Sequence, residues 1–358
     1  MSHLPAGRRA FSLVELLTVI FIISLLIAIL IPSLGAARNA AKKAATSQQI
    51  KAIETGLESF KNDNGKDIPQ TNGYPPSFSH PPITDDGGTV AFSKQDAAAG
   101  KFPFLENRPV VYGAHWLPAM LMGVDAQGYI PRKAVPNDRR NMPEQWYNPP
   151  AGVDAIKGRS PLYLDPNGVR LIRTMELPGR PPEDLETLFP DWDAMDELPV
   201  VADAFDQPLL YYAANTHGRE SNMVGESHDP GNKYDGSAET QEKGPPYYFH
   251  QDNIGFTGLD EQKGWDFGSS GGDHPIRVPG HEATPRQIVN KPRESFAGYI
   301  IDRKIYQKHR LTGPDSKPPP NTTPLRPVNP DTYLLISPGV DGFYGTTDDI
   351  TNFPDLED

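Results

Sequence analysis

Hydrophobic and polar positions are distributed very unevenly along this chain. From Leu16 to Ile31 there are sixteen residues without a charge, and only Thr18 and Ser24 among them are polar. Counted from Phe11 to Leu34 the apolar run is 24 residues long, enough to cross about 30 Å of hydrocarbon at about 1.5 Å per residue. One acid, Glu15, sits a turn inside its start. A carboxylate at that depth costs roughly 2.5–3.5 kcal/mol on insertion scales, so it calls for a partner. Beyond Leu34 the pattern changes to an alanine-rich stretch, residues 33–62, in which Ile50, Ile53, Leu57 and Phe60 recur at helical spacing. Such a stripe packs one helix face on a core while Arg38, Lys42, Lys43 and Lys51 stay off it. The spacing predicts one helix from Phe11 to about Asn64, roughly 80 Å long. Pro32 and Gly35 are expected to bend or loosen it, and Gly65 to cap it in the left-handed conformation.

After Lys66 no long period recurs. Residues 66–110 read as a long loop, Tyr112–Met122 as a short helix, and 180–199 as a further turn of helix. Three strand candidates stand out: two runs within Val200–Tyr212, separated by a turn at Asp206-Gln207, and a last strand over Asp331–Ser337. Residues 216–294 are crowded with Gly, Asp, Glu, His and Pro and read as an exposed insertion anchored by Tyr247, Tyr248, Phe249 and Phe256. Asp165-Pro166-Asn167-Gly168 and Asp85-Asp86-Gly87-Gly88 are turns. The fold class is α+β: a long N-terminal helix, half transmembrane and half amphipathic, on a small antiparallel sheet with long loops and an irregular insertion.

Composition narrows the function classes. The net charge of −12 argues against nucleic acid, which demands a basic footprint. Loss of Arg8 and Arg9 with a ten-residue leader would move it by two, to −14. Without cysteine there are no disulfides or thiolate sites, so any inorganic staple is a cation held by oxygen. Near the C-terminus, Asp341, Asp348 and Asp349 crowd three carboxylates into nine residues, with Gly342 and Gly345 permitting a tight backbone and Thr346 or Thr347 adding hydroxyls. That donor set suits calcium; the competing reading is an acidic turn that needs no ion. Gly268-Ser269-Ser270-Gly271-Gly272 satisfies G-x-S-x-G, yet neither the preceding strand nor the following helix of a nucleophile elbow is in place. The nine histidines form no close metal pair. The chain does not read as an enzyme.

The junction Arg8-Arg9-Ala10 followed by Phe11-Ser12-Leu13-Val14-Glu15-Leu16-Leu17 resembles the leader junction of type IV pilins and type II secretion pseudopilins. The resemblance implies cleavage by a prepilin peptidase between Ala10 and Phe11 and N-methylation of Phe11. It also implies pairing of Glu15 with the freed amine of its own or a neighbouring subunit, and a helix proline at Pro32. Ala10 departs from the family's glycine. Val200–Tyr212 resembles the D-x-W-G-x-P-x-x-Y hairpin of the major pseudopilin through Asp203, Phe205, Pro208 and Tyr211. Ser337–Phe353 resembles its closing S-x-G-x-D-G…D-I-x-N-W calcium loop, with Asp341, Asp348, Asp349 and Thr346 as ligands. The implied organisation is leader 1–10, transmembrane half 11–34, amphipathic half 35–65 and a periplasmic head 66–358, with the insertion at 216–294 and the loop at 337–353. The implied role is a single-pass inner-membrane subunit, held in lipid before assembly. An assembly platform and its ATPase would draw it, with other pseudopilins, into a periplasmic filament that drives protein export. The alternatives are a type IV or minor pilin for adhesion or DNA uptake, and a membrane-anchored periplasmic binding protein or hydrolase. For the N-terminus itself the competing readings are an uncleaved signal anchor, a signal peptide cut near Gly35-Ala36-Ala37, and a twin-arginine export signal.

Overall fold

Helix α1 runs without interruption from Leu13 to Asn64, 52 residues, with Pro32 and Gly35 inside it. The computed structural model describes residues 13–65, 71–77, 112–123, 126–128, 160–177, 198–215, 218, 224–225, 247–258, 274–278, 295–302, 304 and 326–354. The chain forms two compact units that divide inside α1, between Ala45 and Thr46. In the first unit every residue from Leu13 to Ala41 is exposed, including all the large apolar side chains. This helix is long and apolar enough to cross a membrane. Its few hydroxyls are satisfied internally: Thr18 donates to the Glu15 carbonyl (3.0 Å), Ser24 to Ile20 (2.7 Å) and Ser33 to Leu30 (2.8 Å). A hydroxyl that returns its proton to its own helix leaves nothing polar to satisfy in lipid.

The second unit is built on the other half of α1. Ile50, Ile53, Leu57 and Phe60 are all buried, as their spacing predicts, and Thr46, Gly56 and Asn64 extend the same face. Phe60 meets the Tyr163 ring edge-on at 5.3 Å, and Asn64 donates to the Tyr163 hydroxyl at 2.9 Å. Gln49 donates to the Ala202 carbonyl (2.8 Å), and Thr46 accepts from the Ala204 amide (3.2 Å). The helix stops where expected, with the Gly65 amide returning to the Lys61 carbonyl at 2.8 Å. Gly65 is not, however, in the left-handed conformation. The chain instead turns back so that Gly73 lies against it, too close for a side chain at Gly73.

Helix α2, Gly113–Leu121, is buried on every side and packs against β2 (Pro199–Ala202) and β3 (Leu210–Ala213). A Cβ at Gly113 would fall 1.9 Å from the Tyr211 carbonyl oxygen, so this contact requires glycine. Buried His115 rivets the helix start. Its Nδ1 accepts from the Tyr112 amide (3.1 Å) and its Nε2 meets the Thr174 hydroxyl (3.0 Å), which in turn donates to the Leu198 carbonyl. Desolvation pushes its pKa down to about 3, so it is a neutral core histidine.

Among the described residues three small sheets complete the head. β1 (Arg170–Arg173) pairs antiparallel with β2. β3 pairs antiparallel with β6 (Tyr333–Ser337), which pairs antiparallel with β7 (Ile350–Thr351). β4 (Val224–Gly225) and β5 (Tyr248–Phe249) form a short parallel pair. The arrangement is the α+β, pilin-like one expected, with three sheets among the described residues where a single small antiparallel sheet was anticipated. The predicted turn between β2 and β3 is present, closed by the Asp203 amide on the Gln207 carbonyl (2.7 Å). The two strands meet only at the turn and then separate into different sheets.

The expectation of an exposed excursion over 216–294 needs correction in its described parts. Tyr248, Phe249, Ile254, Phe256 and Ile276 are buried in the core, and residues 250–257 form short helical turns, α3 being Ile254–Thr257. Tyr248, Phe249 and Phe256 act as the anchors expected, and Ile254 and Ile276 join them. A further short helix, α4, spans Phe296–Tyr299. The Asp165 turn is as read, with Asp165 Oδ1 accepting from the Asn167 amide at 2.9 Å. Residues 85–88, 268–272, nearly all of the 66–110 loop and 180–197 of the anticipated helical turn lie outside the described residues.

Candidate functional site: the C-terminal acidic loop

Strand β6 ends at Ser337, and the chain then makes a loop of turns before re-entering the same sheet as β7. Pro338-Gly339 starts the reversal. Gly339 has φ +67°, and a Cβ there would press within 2.2 Å of the Asp348 carbonyl oxygen, so the loop's two arms close only over glycine.

The carboxylates organise the loop. Asp348 Oδ2 accepts from the Val340 amide (2.6 Å) and the Asp341 amide (3.1 Å), and its Oδ1 accepts from the Thr346 hydroxyl (2.7 Å). Asp341 Oδ1 accepts from the Phe343 amide at 2.8 Å, and its carboxyl is in hydrogen-bond contact with that of Asp348. Burial, with the Asp348 carboxylate, pushes Asp341 above the usual carboxylate range. Burial acts on Asp348 in the same sense, but hydrogen bonds from Thr346, Asp341 and the two amides outweigh it and hold Asp348 below that range. Two touching carboxyls can share a proton or a cation, but cannot both be bare charges without cost.

Asp349 has a different setting. Its Oδ2 accepts from the Tyr299 hydroxyl (2.5 Å) on α4 and from the Gly345 amide (2.7 Å), and its Oδ1 from the Thr346 amide (3.3 Å). Desolvation pushes its pKa up to about 7 against those bonds. The structure thus brings Asp341, Asp348 and Thr346 together and turns Asp349 inward as a tie to α4. Among the described residues no three His, Cys, Asp or Glu side chains converge in a metal-holding group. The donor chemistry at the Asp341–Asp348 contact fits an oxygen-bound divalent cation: two carboxyls, one of them high in pKa, beside a hydroxyl and exposed loop backbone.

The loop is anchored to the β2–β3 turn by contacts that spacing alone does not reveal. Ser337 donates to Asp203 Oδ2 at 2.5 Å. Asp203 Oδ1 accepts from the Phe205 amide (2.7 Å) and the Gln207 amide (2.9 Å). Burial pushes this carboxyl up to about 6, although its hydrogen bonds act in the other direction. The Tyr344 hydroxyl donates to the Pro208 carbonyl at 2.6 Å, and the Tyr344 amide to His274 Nδ1 at 3.2 Å. Residues read as two separate motifs, Asp203–Tyr211 and Ser337–Phe353, are therefore one connected site. Tyr299 and His274 belong to it as well. Nothing in their sequence surroundings marks them, because their roles arise only from contact across the fold.

At the other end of the chain, residues 5–31 match the family described as the prokaryotic N-terminal methylation motif. The matched stretch includes Ala10, Phe11 and Glu15, of which only Glu15 is among the described residues, in the first turn of α1. No curated protein and no solved structure is detectably similar to the chain. A prepilin-type N-terminal motif leading into a long apolar helix and an α+β head is consistent with a type IV pilin-like protein. Such a motif implies processing by a prepilin peptidase and assembly into filaments, and points to a structural subunit rather than an enzyme.

Proposed function

We propose that the chain is a structural subunit of a type II secretion pseudopilus. The apolar half of α1 anchors it in the inner membrane with the head in the periplasm until it is drawn into a filament. The observation that carries this reading beyond a pilin-like protein in general is the acidic loop after β6, tied to the β2–β3 turn through Ser337 and Asp203. It is the feature that resembles the major pseudopilin. Asp341 and Asp348 would hold calcium, with the Thr346 hydroxyl beside them; Asp349 would fix the loop to Tyr299. The cation would replace the proton that the carboxyl pair otherwise shares and lock the outer surface of the head.

Mass spectrometry of the mature N-terminus tests the pathway. A chain beginning at N-methylated Phe11 is the expected product. A chain beginning at Met1 or near Ala37 would instead favour a membrane-anchored binding protein or hydrolase.

The calcium reading is tested by thermal unfolding of the detergent-solubilised protein with calcium and with a chelator. The raised carboxyls here, Asp341 and Asp349, stabilise the protonated head. Their contribution is fully present below the unfolded pKa of about 3.9 and is lost as pH rises through the folded values, to about 7 for Asp349. Without calcium, the melting temperature should therefore fall between about pH 4 and 7. Calcium should raise it, and by more at pH 7 than at pH 5. Asp348→Ala should abolish the response, whereas a response that survives in that variant would place the ion elsewhere.

A further inference from the structure

The sharpest charge contrast in the molecule lies along α1. Residues 1–45 contain five basic side chains and one acid, a net of +4, which leaves 29 basic and 45 acidic for residues 46–358, a net of −16. Between Glu15 and Glu54 there is no acid at all. Just past the apolar run come Arg38, Lys42 and Lys43, spaced by alanine and asparagine; Arg38 and Lys42 are exposed and Lys43 half-buried. From Leu34, the last large apolar residue of the run, Arg38 is about 6 Å along the axis and Lys43 about 14 Å. The polar headgroup layer is about 5–7 Å deep on each side of the hydrocarbon. Surface potentials decay over about 8 Å at physiological salt, and long cationic side chains lean toward the phosphates.

Orientation is not what these cations are for. In the topology proposed above they lie on the head side and outnumber Arg8 and Arg9 on the other, against the usual bias of positive charge toward the cytoplasm. Nor do they need to share one helix face. A helix that leaves a bilayer presents every face to the headgroups at the depth of Arg38, and the longer reach of Lys42 and Lys43 leans back toward the same layer, so the three form a collar rather than a patch.

We propose that this collar binds the phosphates of anionic phospholipids around the anchored subunit. It would hold the stem at a set depth despite the strongly acidic head, which an anionic surface repels. Clustered cations beside a membrane helix favour anionic lipid by about fivefold per cation near the surface. The proposal rests on the membrane-spanning reading of α1.

The test is spin-label EPR on the full-length protein, reconstituted into phosphatidylcholine vesicles that carry a trace of spin-labelled phosphatidylglycerol or phosphatidylcholine. The motionally restricted lipid is expected to be enriched in phosphatidylglycerol by at least about fivefold, the effect of a single cation. The enrichment should be lost in the triple variant Arg38→Gln, Lys42→Gln, Lys43→Gln, and in high salt. The amount of restricted phosphatidylcholine should be the same in both proteins, which shows that the variant still spans the bilayer. Equal selection of the two lipids by the unaltered protein, or selection that persists in the variant, overturns the collar and leaves the span intact. If neither lipid is restricted, the membrane-spanning reading fails and takes the collar with it. If lipid selection is absent and a cross-linker placed at residue 42 captures the head of a second copy, the collar is a contact between subunits.

Discussion

Asp203→Ala is expected to destabilise the head by roughly 3–5 kcal/mol at neutral pH. Three donors, the Phe205 and Gln207 amides and the Ser337 hydroxyl, converge on this one buried carboxyl. Each buried donor left without an acceptor costs about 1–3 kcal/mol, and part of that is recovered by relaxation. The same change releases the β2–β3 turn from the end of β6, so the C-terminal loop loses its fixed base. Asp203→Asn is the discriminating companion. Its amide oxygen still accepts both backbone bonds, and its NH2 can donate to Ser337, which should hold the loss to within about 1.5 kcal/mol.

The two variants also differ in pH dependence. The Asp203 carboxyl has its folded pKa raised to about 6 by burial. Its proton-linked contribution is complete below about 3.9 and disappears as pH rises through 6. Asn has no proton to lose, so the Asp203→Asn curve should be flatter over that window and relatively better at pH 7 than at pH 5. Denaturant unfolding at the two pH values reads both effects. If Asp203→Ala unfolds no more readily than Asp203→Asn, the carboxyl is not the clasp described above.

Glu15→Val should leave the subunit in the membrane and remove it from filaments. Replacing the acid lowers the cost of burying the first turn of α1 by roughly 2.5–3.5 kcal/mol, so insertion is not impaired. Assembly loses the partner proposed for the Phe11 amine. Breaking a buried ion pair by removing one member costs roughly 3–5 kcal/mol, which is two decades or more in a subunit association constant. Immunoblots of the membrane and sheared-filament fractions separate the two effects. Normal filament yield from Glu15→Val would mean that register is set by other contacts along the helix. A loss from both fractions would point to failed insertion instead.

Residue patterning carried much of this reading, and the reasons are local. An apolar run behaves as a membrane helix whatever follows it, and the Ile50–Ile53–Leu57–Phe60 stripe buries one face because 3.6-residue periodicity places those residues together. Helix 113–121, the turn at residues 203–207 and strand 333–337 are likewise short-range outcomes of composition and turn chemistry. Strands β1, β4, β5 and β7 leave no signal in the sequence, because two to four residues carry no period of their own. Their identity depends on the partner strand they meet.

The long helix, its division into apolar and amphipathic halves, the prepilin-type junction and the crowding of acids near the C-terminus are all written in the order of residues. All of these are properties of neighbours in the chain. Only the tertiary structure decided that Asp349 faces Tyr299 while Asp341 and Asp348 face each other. It alone joined the acidic loop to the β2–β3 turn through Asp203–Ser337 and Pro208–Tyr344. It also drew Ile254 and Ile276 out of a polar stretch into the core. Which carboxyl meets a tyrosine and which meets another carboxyl depends on contacts between segments far apart in the chain, and residue spacing does not encode them.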